Sequence, residues 1–360
     1  MPLFDLNPKE SPKELFAREK ELDELVRLIE ARRWVAILGP RMVGKTSLVK
    51  VANVKLEKAG FKTIYVNLWG AQRTQGLLNA LARGLNSSRG LSQKIKEGIG
   101  RIEGVSLGPG GVAISAPKKP MTTVWDLLTA IGREAGDYVV ELDEIQELAV
   151  ISGHLLKILA NIFNTYSNIV FVFTGSMFGL MKTLLEPGPS SPLYGRSPAK
   201  IYLQPFKKEQ AISFLRKGFQ EYDIKVSENL IDEVVEKLDG VPGWLTLYGN
   251  DIAVRKLHYE DALNATISEG LKIVKDELEH YLEGRDRIGH ISALKAAATA
   301  ARWTEIKRAI EIGKGSTVND ATVYSILESL RAAMLIKEEK GVYRVDDPMM
   351  RNLLLTSKLT

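Results

Sequence analysis

Residues Trp34–Leu48, WVAILGPRMVGKTSL, constrain this 360-residue chain more than any other stretch. Trp34 to Leu38 is a short apolar run of the kind that forms a buried parallel strand. Gly39-Pro40-Arg41-Met42-Val43-Gly44-Lys45-Thr46 fits the phosphate-loop spacing G-x-x-x-x-G-K-[ST]. From Ser47 to Lys58, Leu48, Val51, Ala52 and Leu56 recur at helical spacing, and Ala59-Gly60 supplies the stop. The motif therefore lies between a strand and a helix N-terminus, where the N–H groups of residues 41–46 and the helix dipole can wrap a phosphate. There Lys45 reaches the β- and γ-phosphates and the Thr46 hydroxyl ligates Mg²⁺. Gly39 and Gly44 let the backbone approach the anion. With Pro40, Arg41, Met42, Val43 and Ser47 they form the expected ATP/ADP-binding loop. A chance glycine turn has the same spacing, but it does not come with both flanks.

A second landmark is Tyr138-Val-Val-Glu-Leu-Asp-Glu144, an apolar strand ending in adjacent carboxylates. This is the Walker B pattern: Asp143 orients Mg²⁺ through water, and Glu144 orients or deprotonates the attacking water. An acidic helix start is the bland alternative. Glu141 breaks the strand's apolar character and must find a partner if both sheet faces are covered. Further on, Asn168–Ser176 reads as a buried strand ending in hydroxyl residues. Thr174 and Ser176 are the candidates there to sense the γ-phosphate, against a plain strand end with a Ser cap. The Pro/Gly/Ser-rich loop 186–198 carries one cation, Arg196, a candidate arginine finger in cis or in trans because the preceding strand end faces the nucleotide.

Strands near 34, 62, 138, 169 and 201, separated by helices, give an α/β fold with a five-stranded parallel sheet and right-handed crossovers. Residues 1–11 read as an extended lead-in, with Ser11 capping a charged amphipathic helix that runs to about Ala31. Val105–Ser115 alternates about Gly-Pro-Gly-Gly, which predicts a hairpin within an insertion (about 87–120) projecting from the sheet. Thr122 or Thr123 is expected to cap the next helix.

From Lys207 the pattern is helical. Pro242 sits at the first position of one of these helices. From about Arg285, three helices and a hairpin about Lys340-Gly341 follow the winged-helix order. Over residues 281–360 there are thirteen Lys/Arg against ten Asp/Glu, a net of +3. That is thin for a nucleic-acid reader, so DNA and protein contact stand about level. The expected domains are 1–205, 206–284 and 285–360.

The whole chain has a net charge of +5 and no cysteine, which leaves no disulfide framework and no thiolate metal site. No signal peptide and no apolar run of membrane-spanning length is read from the sequence, so a cytoplasmic protein with no membrane partner is the expectation.

These features together resemble the archaeal ATPase family, a branch of the STAND P-loop ATPases related to AAA+ proteins. The resemblance rests on Phe16-Ala-Arg-Glu-Lys-Glu-Leu22, Gly39–Leu48, Leu142-Asp-Glu-Ile-Gln146, Phe173-Thr-Gly-Ser176, Ser191–Arg196, Gly240-Val-Pro242 and Tyr343–Pro348. It implies an ASCE-like core, a helical lid, a winged helix, and slow ATP hydrolysis used as a switch. It places Arg18 and Glu19 near the adenine, Pro242 at the lid's nucleotide contact, and adds weight to Arg196 as a finger. Met42 and Glu141 depart from the family pattern. An unidentified protein partner and nucleotide-dependent self-association are compatible with such a switch. The alternatives are a DNA-binding relative of archaeal replication initiators, which carry an Arg in the lid helix where this chain has Gly240-Val-Pro-Gly-Trp-Leu, and a non-hydrolysing ATP-bound scaffold.

Overall fold

The computed structural model describes residues 2–88, 93–115, 117–175 and 180–356. It has two compact units: Pro8–Gly39 with Lys45–Leu203, and Met1–Asn7 with Pro40–Gly44 and Gln204–Thr360.

The first unit is an α/β core. In chain order it comprises α1 (Glu19–Glu30), β1 (Val35–Leu38), α2 (Lys45–Lys58), β2 (Lys62–Asn67), α3 (Thr74–Ser87), α4 (Gln93–Gly100), β3 (Val105–Gly108), β4 (Gly111–Ile114) and α5 (Pro120–Gly132). There follow β5 (Tyr138–Asp143), a 3-10 segment over Ile145–Ile151, α6 (Ser152–Thr165), β6 (Ile169–Gly175), α7 (Leu180–Leu185) and β7 (Ala199–Tyr202). Five of these strands form one parallel sheet in the order β2-β5-β6-β1-β7, as the periodicity predicts. Every residue of β1, β5 and β6 is buried, which is why those strands read as continuous apolar runs. Trp34 packs edge-on against Phe171 at 4.8 Å and closes the end of the sheet where β1 begins. At the opposite end, β6 separates β1 from β5: Ile37 lies beside Thr174, Leu38 beside Gly175, and Asn67 beside Asp143.

Several local expectations change. The first helix starts at Glu19, because Ala17 takes a left-handed backbone (φ 51°) and separates it from the turn at 11–14. The next core helix after the hairpin starts at Pro120, not at Thr122 or Thr123. The β3–β4 hairpin forms but does not project from the sheet. The Asn86 side chain on α3 accepts from Val112 N–H (2.6 Å) and donates to Val112 C=O (2.9 Å), so the hairpin lies on that helix. One helical stretch among the described residues, Ile145–Thr165, is long and apolar enough to cross a membrane, contrary to the sequence reading. It is broken at Leu148, and its Leu155, Leu156, Leu159 and Ile162 are buried.

The second unit is mainly helical. It contains α8 (Lys208–Gln220), α9 (Glu228–Leu238), α10 (Pro242–Ala253) and α11 (Tyr259–Leu282). After them come α12 (Arg287–Ala298), β8 (Ala301–Arg302), α13 (Trp303–Lys314), α14 (Asp320–Ala332), β9 (Lys337–Glu339), β10 (Val342–Arg344) and α15 (Pro348–Thr356). The winged helix has a third strand beyond the expected hairpin, in the order β8-β10-β9. Asn319 caps α14 by accepting from the Thr322 N–H at 2.8 Å.

The lead-in is not loose. Phe4 is fully buried, 4.9 Å from Phe219 ring to ring, and its carbonyl accepts from Asn250 Nδ2 at 2.8 Å. A Cβ at Gly218 or Gly249 would come within 2.2 or 2.3 Å of the Phe4 ring.

Candidate nucleotide-binding site

The loop between β1 and α2 has the backbone its sequence calls for. Gly39 (φ 157°), Met42 (φ 61°) and Gly44 (φ 99°) turn it, and α2 begins at Lys45. Met42 is left-handed without being glycine, which costs about 1 kcal/mol or more. Its carbonyl accepts from the Gly243 N–H at 2.8 Å, and a Cβ at Gly243 would lie 2.6 Å from the Met42 Cβ. The glycine after Pro242 is thus needed for that close approach. Arg41 pairs with Glu277 at 3.6 Å. Lys45 Nζ lies folded back on the Gly39 carbonyl at 2.9 Å.

Asp143 ends β5 and is buried. Its Oδ2 accepts from the Thr46 hydroxyl at 3.1 Å and from the Tyr65 phenol, and its Oδ1 accepts from the Thr174 hydroxyl. Parallel pairing of β2, β5 and β6 brings these side chains to one end of the sheet. Burial, reinforced by the Asp143 charge, pushes the Tyr65 phenol well above its usual range, so Tyr65 stays a proton donor. Thr174, a candidate γ-phosphate sensor, instead donates to Asp143 and accepts from the Glu144 N–H at 3.3 Å. Ser176, the other candidate, lies outside the described residues. Glu144 is left-handed (φ 61°), an uncommon conformation for a side-chain-bearing residue, and its Oε2 accepts from Gln146 Nε2.

Glu141 finds its partner in Asn53 on α2, whose Nδ2 donates to Glu141 Oε2 at 2.9 Å. Full burial pushes this carboxyl up to about 8. The Asn53 Oδ1 on the same amide is buried with no hydrogen-bond partner among the described residues.

Of the remaining candidates, Arg18 is buried and pairs with Glu21 at 3.1 Å, while Glu19 is exposed at the start of α1. Arg196 does not lie where its sequence position suggests. Strand β7 is parallel to β1 with Ala199 beside Val35, so Arg196, just before it, sits where β1 begins. The phosphate loop leaves the other end of β1, about 13 Å away at ~3.3 Å per residue. The exposed Arg196 guanidinium covers the Phe163 ring at 5.6 Å. Sequence reading missed Tyr65 and Gln146 as members of this cluster. An amphipathic strand shows its period but not which strand it will pair with.

Residues 15–247 match the family described as an ATPase domain predominantly from Archaea. The chain belongs to this family of ATPases. Residues 285–345 match the C-terminal winged helix-turn-helix domain of MCM proteins. Among solved structures, the Walker-type ATPase PABY2304 of Pyrococcus abyssi is 28% identical, covering 98% of this chain and 99% of its own, with a TM-score of 0.76. The Aeropyrum pernix ORC2 protein, solved with ADPNP and ADP, shares the fold at 16% identity and a TM-score of 0.62, covering 98% of this chain and 97% of its own. The Aeropyrum pernix ORC1 protein in complex with DNA shares it at 17% identity and a TM-score of 0.53, covering 99% of this chain and 97% of its own. No curated protein sequence matches this chain.

Proposed function

We propose that this chain is a slow, Mg²⁺-dependent STAND-type ATPase whose nucleotide state switches the arrangement of its lid and winged helix. The observation that carries this reading is the Thr46–Asp143 hydrogen bond, which joins the phosphate loop to the acid-ended strand. The donor set suits magnesium: a hydroxyl and a carboxylate, both oxygen ligands, fewer than the six the ion takes, so phosphates and water would complete it. Among the described residues no cluster of three or more His, Cys, Asp or Glu could hold a metal unaided, which fits an ion shared with the nucleotide. Bound there, Mg²⁺ would neutralise charge developing on the phosphates.

The chain's own residues do the rest. Lys45, now on the Gly39 carbonyl, would turn to the phosphate oxygens of a bound nucleotide. The loop's N–H groups cradle the anion. Asp143, steadied by Tyr65 and Thr174, would hold the ion through its carboxylate. Glu144 aims the attacking water and takes its proton. Arg18 and Glu19 are proposed as contacts on the adenine side, and Pro242 as the lid's nucleotide contact. Arg196, distant from its own phosphate loop along β1, is proposed to serve a neighbouring copy in trans, which makes self-association part of the reading.

Single-turnover hydrolysis tests it: Glu144→Gln should retain ATP binding and lengthen the lifetime of bound ATP by about a hundredfold or more. An unchanged lifetime in a wild-type protein that does hydrolyse ATP contradicts the role of Glu144. No phosphate release by the wild type points to the scaffold alternative.

A second reading, DNA binding through the winged helix, is favoured by the module itself and by the A. pernix ORC1 protein solved with DNA, which has the same fold. It predicts an affinity that falls steeply with salt.

A further inference from the structure

Glu144 is held at both ends. Its N–H donates to the Thr174 hydroxyl at 3.3 Å, which fixes the backbone in its left-handed turn. Its carboxylate receives the Gln146 amide. Gln146 in turn lies on bare backbone. A Cβ built on Gly175 would fall 2.0 Å from Gln146 Oε1 and 3.2 Å from its Cδ, so only a glycine at the end of β6 leaves room for this side chain. Gly175 is beside Leu38, the last residue of β1 before the phosphate loop. The amide therefore bridges the acid-bearing turn to the strand that borders that loop. A free Glu side chain has three rotatable bonds, and tying one carboxylate oxygen to an immobilised amide removes most of that freedom. Among the described residues the other oxygen has no hydrogen-bond partner, which leaves its lone pairs for a water.

We propose that Gln146 is a positioning residue for ATP hydrolysis: it aims the Glu144 carboxylate, using Gly175 as its backstop. This rests on the reading of Glu144 as the group that activates water, and goes beyond it by naming what holds that group. It differs from a purely structural role for Gln146 in what it predicts. Turnover should suffer while nucleotide affinity and thermal stability do not, and the effect should vanish once Glu144 can no longer act.

Four proteins decide it, each measured for ATP affinity, melting temperature and single-turnover rate: wild type, Gln146→Ala, Glu144→Gln and the double variant. Gln146→Ala should lower the rate about ten- to a hundredfold, the range expected when a reacting group is misplaced by an ångström or less, with affinity and melting unchanged. In the Glu144→Gln background the same change should add nothing. Gln146→Glu, which sets one carboxylate against another, should be slower than Gln146→Ala. A wild-type rate in Gln146→Ala beside a slow Glu144→Gln overturns the role of Gln146 and leaves that of Glu144 standing. An unimpaired Glu144→Gln overturns the reading of Glu144 itself. A Gln146→Ala protein that loses affinity or melting stability in step with its rate, or that slows the Glu144→Gln variant further, shows a structural role and overturns the proposal.

Discussion

The end of the sheet around Asp143 and the outer face of the winged helix both gather polar groups, but they satisfy them in opposite ways. Asp143 is buried, and among the described residues its three side-chain partners are neutral hydroxyls, from Thr46, Tyr65 and Thr174. On the winged helix three cations meet acids at the surface. Lys307 pairs with Asp320 at 2.7 Å, Arg331 with Glu328 at 2.8 Å and Glu338 at 3.5 Å, and Lys337 with Asp346. Neutral donors fix a carboxylate without cancelling its charge, so an arriving cation still finds an anion and only has to displace a hydroxyl. Exposed ion pairs are worth about 0–1 kcal/mol each, yet they cancel the field that a phosphate backbone would need. On the proposed reading the first arrangement suits a charged ligand; in the second, part of the charge is already paired within a net of +3 over residues 281–360.

The comparison can be broken at its strongest point first. Asp143→Asn removes the charge and turns one of the two accepting oxygens into a donor, and should lower Mg²⁺-dependent hydrolysis by at least about a hundredfold in steady-state assays. A smaller effect comes from the neutral donors. Tyr65→Phe leaves the carboxylate one partner short, about 1–3 kcal/mol for a hydrogen bond to a charged group, and should raise the Mg²⁺ requirement and slow turnover roughly tenfold.

Glu141 sharpens the contrast within the same sheet end, since its carboxyl is held by an amide rather than by hydroxyls. Its folded value is raised above the usual carboxylate range to about 8. The native state therefore holds a proton that the unfolded chain releases, and stability falls as pH rises from the ordinary range through 8. Glu141→Gln removes that loss and can give the Asn53 Oδ1 a donor, so its advantage in denaturant melts should be small at pH 5 and about 2–4 kcal/mol above pH 8. An advantage independent of pH would show that Glu141 is not neutralised by burial. The smallest expected change is on the winged helix. Glu328→Gln with Glu338→Gln frees Arg331, and should steepen the log–log salt slope of DNA binding by about one. A wild type that already binds DNA with a steep slope would break the comparison on that side.

The sheet was legible because both of its demands, burial on two faces and crossover helices, are written in local sequence: β1, β5 and β6 are nearly pure apolar runs. The places of the loop between β1 and α2 and of Asp143-Glu144 at the end of β5 were legible because such motifs need fixed residue types at fixed spacing. What was not legible depends on partners far along the chain. Phe4 reads as part of a polar lead-in until Gly218 and Gly249 leave space for its ring. Tyr65 reads as one aromatic in a strand until β2 lies beside β5. Arg196 follows a strand end that faces the phosphate loop, but the loop from 186 to 198 carries it to the other end of the sheet before β7 begins. The hairpin's turn was local and was read, whereas its docking through Asn86 was not.

The central claim is that the loop from Gly39 to Thr46 holds a nucleotide's phosphates with Lys45 among its ligands. Calorimetric titration of Mg·ATP into wild type and Lys45→Ala tests it most directly. The account predicts that wild type binds and that Lys45→Ala loses about a hundredfold or more in affinity at unchanged melting temperature. Equal affinity in the two proteins would contradict it.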